Sequence, residues 1–196
     1  SNNYWAYYDT ESDVWTGYVM SGQVTSLYTL SIPNYQLVVN MAGELVETSV
    51  DNGDGTFTYN VPVREGYTWS DGSPITANDW EFTFDTVKSL SLGGNFLSSY
   101  PYSCEDEEGT AKNCVVSVVA SDDYTVSITF NYDPGLSTWQ YGTAQGIAFS
   151  KAYWEQYATD KETLYAHDAT NAPVASAFVY DKLEQGAFYT WKYDAN

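Results

Sequence analysis

Residues 65–87 read EGYTWSDGSPITANDWEFTFDTV, and this stretch decides the fold. Asp71-Gly72-Ser73-Pro74 is turn chemistry, with Gly72 free to take positive φ and Pro74 fixing φ on entry to the next element. The chain is expected to reverse here. Thr76 then offers a hydroxyl to the free N–H groups of a new helix. Asp79, three residues on, stands where a capping-box carboxylate would and faces the positive helix end. The helix should therefore begin near Ala77. Behind the cap, Trp80, Phe84 and Val87 form one apolar stripe, while Glu81, Asp85 and Lys88 fall on the other side, so the helix is expected to pack by one face.

Working upstream, residues 44–50 and 56–63 read as two strands joined by Asp51-Asn52-Gly53-Asp54-Gly55. Phe57, Tyr59 and Val61 alternate against Thr56, Thr58 and Asn60. The DNGDG turn lacks the acidic spacing of a calcium loop, and no Glu stands at the required distance beyond it. It is read as a hairpin turn feeding the capped helix.

The order strand, DNGDGT turn, strand ending VPVREG, then WSDGSPITANDWEFTFD resembles the extracellular solute-binding proteins of ABC importers, specifically the oligopeptide- and dipeptide-binding family. Residues 115–131, VVSVVASDDYTVSITFN, are similar to a family hairpin whose turn Asp122-Asp123 supply, and FSKAYWEQY at 149–157 to a family helix. Residues 175–196 look like the family's return strands, except that Ala175-Ser176-Ala177-Phe178 stand in place of its Gly-Thr-Gly-Pro hinge. The resemblance is good from residue 44 onward and weak before it.

This resemblance implies an α/β architecture, a fragment of the type II periplasmic-binding-protein-like fold with a mixed sheet and flanking helices. Residues 1–43 would belong to the first main domain and carry its N-terminal helix, expected at 17–30. Residues 44–170 would form the small lobe, and 171–196 the return strands into the first main domain. Family members are much longer, so the remaining lobe is expected to be absent. The implied function is capture of a peptide outside the membrane and its delivery to a membrane permease, without catalysis or cofactor, by a monomer. The chain opens on Ser1, with no charged and apolar leader before Tyr4, so a secretion signal is read as removed. The implied location is the extracellular side of the cytoplasmic membrane or the periplasm, with a lipid anchor in the full-length protein. The family's ligand-lining strand falls near Ser12, Asp13, Val14 and Trp15, and the aromatic after the capped helix near Phe96 or Tyr100. Read from the residues alone, Trp15 would instead anchor the helix at 17–30 and Phe96 would plug a loop.

Cys104 and Cys114 flank the polar loop EDEEGTAKN. In a secreted protein such a pair is best read as a disulfide, worth roughly 2–3 kcal/mol through loop closure. Half of a zinc site would need further ligands, and His167 is the single histidine. The net charge of −19 arises from 7 Lys and Arg against 26 acids. So few cations exclude nucleic acid as a partner, because binding a polyanion depends on basic clusters. The 19 Tyr, 7 Trp and 8 Phe are read mainly as core, with Trp69, Trp80, Trp139, Tyr141 and Phe149 as packing residues. Nucleophilic hydrolysis has no Ser or Cys placed with a base, since His167 lies apart in LYAHDAT, and no GxGxxG or P-loop pattern occurs. The paired acids Asp122 and Asp123 sit in a turn for backbone reasons.

The competing class is a secreted carbohydrate-binding or surface adhesion module, which an acidic, Tyr-rich, disulfide-bearing chain also suits. Such modules are usually all-β, and the capped helix at Ala77 speaks against one. A circular dichroism spectrum of mixed helix and strand is expected; one almost free of helix would favour the adhesion module.

Overall fold

A computed structural model describes residues 2–10, 14–184 and 187–194. The helices in chain order are α1 (Tyr4–Thr10), α2 (Val14–Met20), α3 (Ala77–Ser89), α4 (Phe96–Ser99), α5 (Gly135–Trp139), α6 (Lys151–Trp154) and α7 (Lys161–Ala166). The longer strands are preceded by short ones: β1 (Thr25–Ser26), β2 (Tyr28–Leu30), β3 (Leu37–Val39) and β4 (Val50–Asp51) come before β5 (Phe57–Pro62), β6 (Val115–Asp122) and β7 (Thr125–Phe130). The last three are β8 (Ile147–Ala148), β9 (Phe178–Glu184) and β10 (Phe188–Tyr193).

The turn ahead of α3 forms as its residue types require. Gly72 takes φ 85°, and both the backbone N–H and hydroxyl of Ser73 donate to Asp71 Oδ1, at 2.9 and 2.6 Å. The capped helix starts at Ala77. Thr76 N–H donates to Asp79 Oδ2 at 3.0 Å, the return arm of a capping box. The Asp79 carboxylate also accepts the Trp69 indole N–H at 3.2 Å and the Lys151 backbone N–H, which opens α6, at 2.8 Å. One buried side chain thus ties the incoming strand end, the start of α3 and the start of α6. Burial pushes its carboxyl above the usual carboxylate range, and the three N–H donors oppose that rise.

Strands β4, β5, β7 and β6 form an antiparallel sheet in that order. Tyr59 pairs with Ile128 and Val61 with Val126, so the period-2 pattern of β5 places Tyr59 and Val61 inside, against Trp80 and Phe84 of α3. The second hairpin turns at Asp122-Asp123, where Tyr124 N–H donates to Asp122 Oδ1 at 2.8 Å. Cys104 and Cys114 are joined in a disulfide.

Three expectations change. First, α3 packs by more than one face. Trp80 and Phe84 enter the sheet-side core, whereas Val87 enters a second cluster with Trp5, Phe96, Phe149 and Trp154. Thr83, off the stripe, is fully buried because its hydroxyl donates to Asp79 O at 2.7 Å and accepts Phe149 N–H at 3.0 Å. Second, the strand at 44–50 shrinks to Val50–Asp51. Side chains answer the preceding backbone: Tyr28 hydroxyl donates to Glu44 O at 2.9 Å and accepts Val46 N–H at 3.1 Å, and Trp139 Nε1 donates to Val46 O at 3.0 Å. Third, the helix expected at 17–30 is α2, ending at Met20, succeeded by a short 3-10 turn and then β1 and β2. Thr25 pairs with Ala148, and Tyr28 with Val39; these tertiary pairings override a weak helical propensity.

The second cluster seats α1. Trp5 lies flat on Phe149 with centroids 3.8 Å apart and stacks on Phe96 at 5.6 Å; such pairs contribute about 0.5–1.5 kcal/mol beyond their burial. Residues 2–10 therefore pack against helices α4, α6 and α7. Strands β9 and β10 form a separate two-stranded ribbon, with a bulge between Thr190 and Trp191.

Replacing Asp79 with Ala leaves three N–H groups without their acceptor, so Asp79→Ala is expected to destabilise the chain by about 2–4 kcal/mol in urea unfolding. A loss within about 0.5 kcal/mol, the range of an ordinary surface change, would refute this role of the carboxylate.

Candidate ligand cleft

Segment 170–175 is pinned from two sides. Ser70 N–H donates to Val174 O at 2.9 Å, Val174 N–H donates to Ser70 Oγ at 3.0 Å, and Ala175 N–H donates to Gly22 O at 2.7 Å. Ser70 belongs to the decisive WSDG stretch, so the turn that starts α3 also sets the floor of a cleft. The ribbon enters from the other side. A Cβ on Gly22 would stand 2.7 Å from Trp191 Cη2 and 3.5 Å from Val174 Cβ. Only glycine lets the Trp191 ring approach this closely.

Between α2, segment 170–174 and the ribbon lies an open cleft of about 840 Å³, within the size range of small-molecule and peptide sites. Its apolar walls come from Trp15, Val19 and Met20 on one side and Val179, Tyr180 and Trp191 on the other. Lys192 supplies a cation, and none of the described lining residues is Asp or Glu.

Much of the polar lining is already engaged. Asn2 Nδ2 donates to Asp168 Oδ1 and to Thr170 Oγ1. Gln23 Nε2 donates to Asn2 O at 2.9 Å, and Gln23 Oε1 accepts Tyr4 N–H at 3.2 Å. Hydrogen bonds from the Thr170 hydroxyl and then the Asn2 amide hold Asp168 down at about 2. That carboxylate stands behind Thr170 and does not line the cleft.

The N-terminal wall is fastened by charge. Asp9, at the end of α1, is buried and meets Lys161 Nζ of α7 at 2.9 Å; it also accepts Gly93 N–H. Burial alone would raise the Asp9 carboxyl, but Lys161, then Tyr165 and the Gly93 N–H, together outweigh it and hold it below the usual carboxylate range.

Of the residues expected to touch ligand, Ser12 and Asp13 lie outside the described residues. Val14 and Trp15 begin α2 rather than a strand. Trp15 is 78% exposed and lines the cleft, so it is not the core anchor of a helix; Val14 is exposed but not among the lining side chains. Phe96 and Tyr100 are both fully buried. Phe96 packs against Trp5 and Tyr8, and Tyr100 packs against Phe84 while its hydroxyl donates to Ile147 O at 3.0 Å. Their rings are occupied by the protein itself. Of the packing aromatics, Trp69, Trp80, Trp139 and Phe149 are buried, whereas Tyr141 is exposed. Tyr180, Trp191 and Lys192 carry no sequence signal of a place in the cleft, because nothing local to 178–193 indicates that Gly22 will face Trp191.

This arrangement, a mixed α/β body with an open, aromatic-walled cleft beside a pinned return segment, is that of part of a type II periplasmic binding protein. The profile of bacterial extracellular solute-binding proteins, family 5 Middle, matches residues 40–196, and the chain belongs to that family. It is 33% identical over 93 residues to the oligopeptide-binding protein OppA of Bacillus subtilis (strain 168), a match covering 44% of this chain and 16% of that protein. The oligopeptide-binding protein AppA of Bacillus subtilis, solved with a nonapeptide, superposes with a TM-score of 0.67 at 15% identity, over 94% of this chain and 33% of that one. The periplasmic oligopeptide-binding protein of an ABC transporter from Thermotoga maritima, solved with mannohexaose, gives 0.63 at 17% identity, over 89% of this chain and 28% of that one. The chain thus spans a third or less of the length of these proteins. Among the described residues no helix is long and apolar enough to cross a membrane.

Because the folded-state Asp9 carboxyl is depressed, its contribution to stability is complete above the unfolded value near pH 4 and is lost as pH falls through the folded value. Thermal midpoints measured from pH 6 down to pH 3 should fall less steeply below pH 4 in Asp9→Asn than in the wild type. Identical slopes would show that Asp9 is not the linked group.

Proposed function

We propose that this chain is part of the substrate-binding component of an ABC-type peptide importer, capturing peptides outside the membrane for delivery to a permease. The observation that carries this reading is the open cleft joining α2 to the β9–β10 ribbon in a member of solute-binding family 5. Its aromatic walls offer large, rigid contact area for side chains. Strand addition, in which an extended peptide pairs with backbone groups of a strand, would be the mode of binding. The role is capture rather than chemistry. The working protein would be a monomer outside the cytoplasm, at the extracellular face of the membrane or in the periplasm, and held there by a lipid anchor in its full-length form. Closure over the ligand would come from the parts of the family fold that this chain does not span, so a cleft left open should bind weakly.

Calorimetric titration of the chain with a mixed-length peptide library is expected to give saturable but weak binding, with dissociation constants of about 0.1–1 mM or above, roughly 4–5.5 kcal/mol. Binding of oligosaccharides with no response to peptides would overturn the reading in favour of a carbohydrate-binding module.

A further inference from the structure

We infer that Asn52, at the tip of the β4–β5 hairpin, is a site of spontaneous covalent modification: the Gly53 backbone nitrogen attacks the Asn52 carboxamide carbon, ammonia leaves, and water opens the resulting succinimide to aspartate or isoaspartate. This chemistry does not depend on what the cleft binds.

The reaction needs an uncrowded nitrogen, an amide carbon that can lose ammonia, and a group to take the proton from the backbone N–H. Asn52 is the one asparagine followed by glycine. Gly53 takes φ 78°, and a Cβ placed on it would meet nothing beyond its chain neighbours within 4 Å, so no side chain hinders its nitrogen. Both residues are exposed, which admits the water that completes the reaction. The Gly53 N–H donates to Asp51 Oδ1 at 2.8 Å, placing a carboxylate within reach of the proton that must leave. Asp51 accepts that proton as the new C–N bond forms and passes it to the departing nitrogen, which leaves as ammonia when the old C–N bond breaks. The Asn52 carboxamide is held for attack by Thr56 and Thr58, whose hydroxyls each accept from Asn52 Nδ2 at 2.9 Å.

The two Asp-Gly pairs could form the same ring, but they are less well placed. Both present carboxylates, whose ionised form resists attack by a nitrogen lone pair. Thr56, through its hydroxyl and then its N–H, holds the Asp54 carboxyl below the usual range. At Asp71 the following N–H, that of Gly72, donates to Trp69 O at 2.9 Å instead of to a carboxylate. Conversion at position 52 removes the Nδ2 donor shared by Thr56 and Thr58 and sets a third carboxylate between Asp51 and Asp54, where like charges repel. The isoaspartyl product also adds one carbon to the main chain inside the turn. That turn is closed by Asn52 N–H donating to Thr56 O at 3.0 Å and by the pairing of Val50 with Thr58 and Asp51 with Phe57. The two-residue β4 is thereby released from the sheet, while β5, β7 and β6 remain paired.

The test is incubation of the chain at mildly alkaline pH, with conversion at each asparagine followed by peptide mass mapping and the isoaspartyl product counted by labelling with an isoaspartyl methyltransferase. Asn52 is expected to convert at least about tenfold faster than Asn34, which is also exposed but precedes Tyr35. Asp51→Asn keeps an acceptor for the Gly53 N–H but removes the base, and should slow conversion at position 52 by about tenfold. In urea, where the Asp51 to Gly53 hydrogen bond is lost, wild type and Asp51→Asn should react at one rate. Conversion at Asn52 no faster than at Asn34 overturns the site. An unchanged rate in folded Asp51→Asn, or a difference that persists in urea, overturns the part given to Asp51, since the folded hydrogen bond would then not be the cause.

Discussion

The Asp79 carboxylate is the joint on which the rest of the structure hangs. It accepts N–H groups from Trp69, Thr76 and Lys151, which lie in three different segments. An ionised carboxylate can accept several hydrogen bonds, and a buried one must find them or go without its charge. Meeting that requirement fixes where the strand end stops, where α3 begins and where α6 begins. Thr83, one turn into α3, extends the joint by accepting the Phe149 N–H.

From there the constraint passes by packing to the far end of the chain. Phe149, positioned by Thr83, offers its face to Trp5, and Trp5 is held further by Phe96 and Trp154. Asp9 adds an ion pair to α7 at the end of the same helix. The N-terminal arm is thereby seated on helices that lie more than eighty residues further along the chain. Because α2 succeeds that arm, the cleft wall carrying Trp15 inherits its place from the aromatic cluster. The opposite wall depends on Ser70 and Gly22, which clamp segment 174–175 and admit the Trp191 ring.

The elements legible in the sequence were those governed by local rules. The Asp71 turn, the cap at Thr76 and Asp79, the start of α3, the alternation in β5 and the Asp122 turn each depend on residues within a few positions of one another. The disulfide was legible because its two cysteines close a short polar loop. What failed were inferences needing a partner remote in sequence. Residues 44–50 carry strand-like residues, yet Tyr28 and Trp139 claim their backbone groups. Phe96 and Tyr100 match the position of a ligand-facing aromatic, but the N-terminal arm covers one and the β8 segment receives the other.

By itself, then, the sequence determined the capped helix, the two hairpins around it, the acidic surface and the membership in a solute-binding family, because each rests on residue chemistry within a short window or on an ordered run of such windows. Only the tertiary structure decided that α3 would serve two cores, that the N-terminal arm would be an integral part of the second, and that Trp15, Trp191 and Lys192 would share a cleft. The physical reason is that a side chain's burial and partners depend on which distant surfaces meet it. Trp15 and Phe96 have similar hydrophobicity, and it is the Trp5 ring, not any local signal, that hides one while the other remains open to solvent.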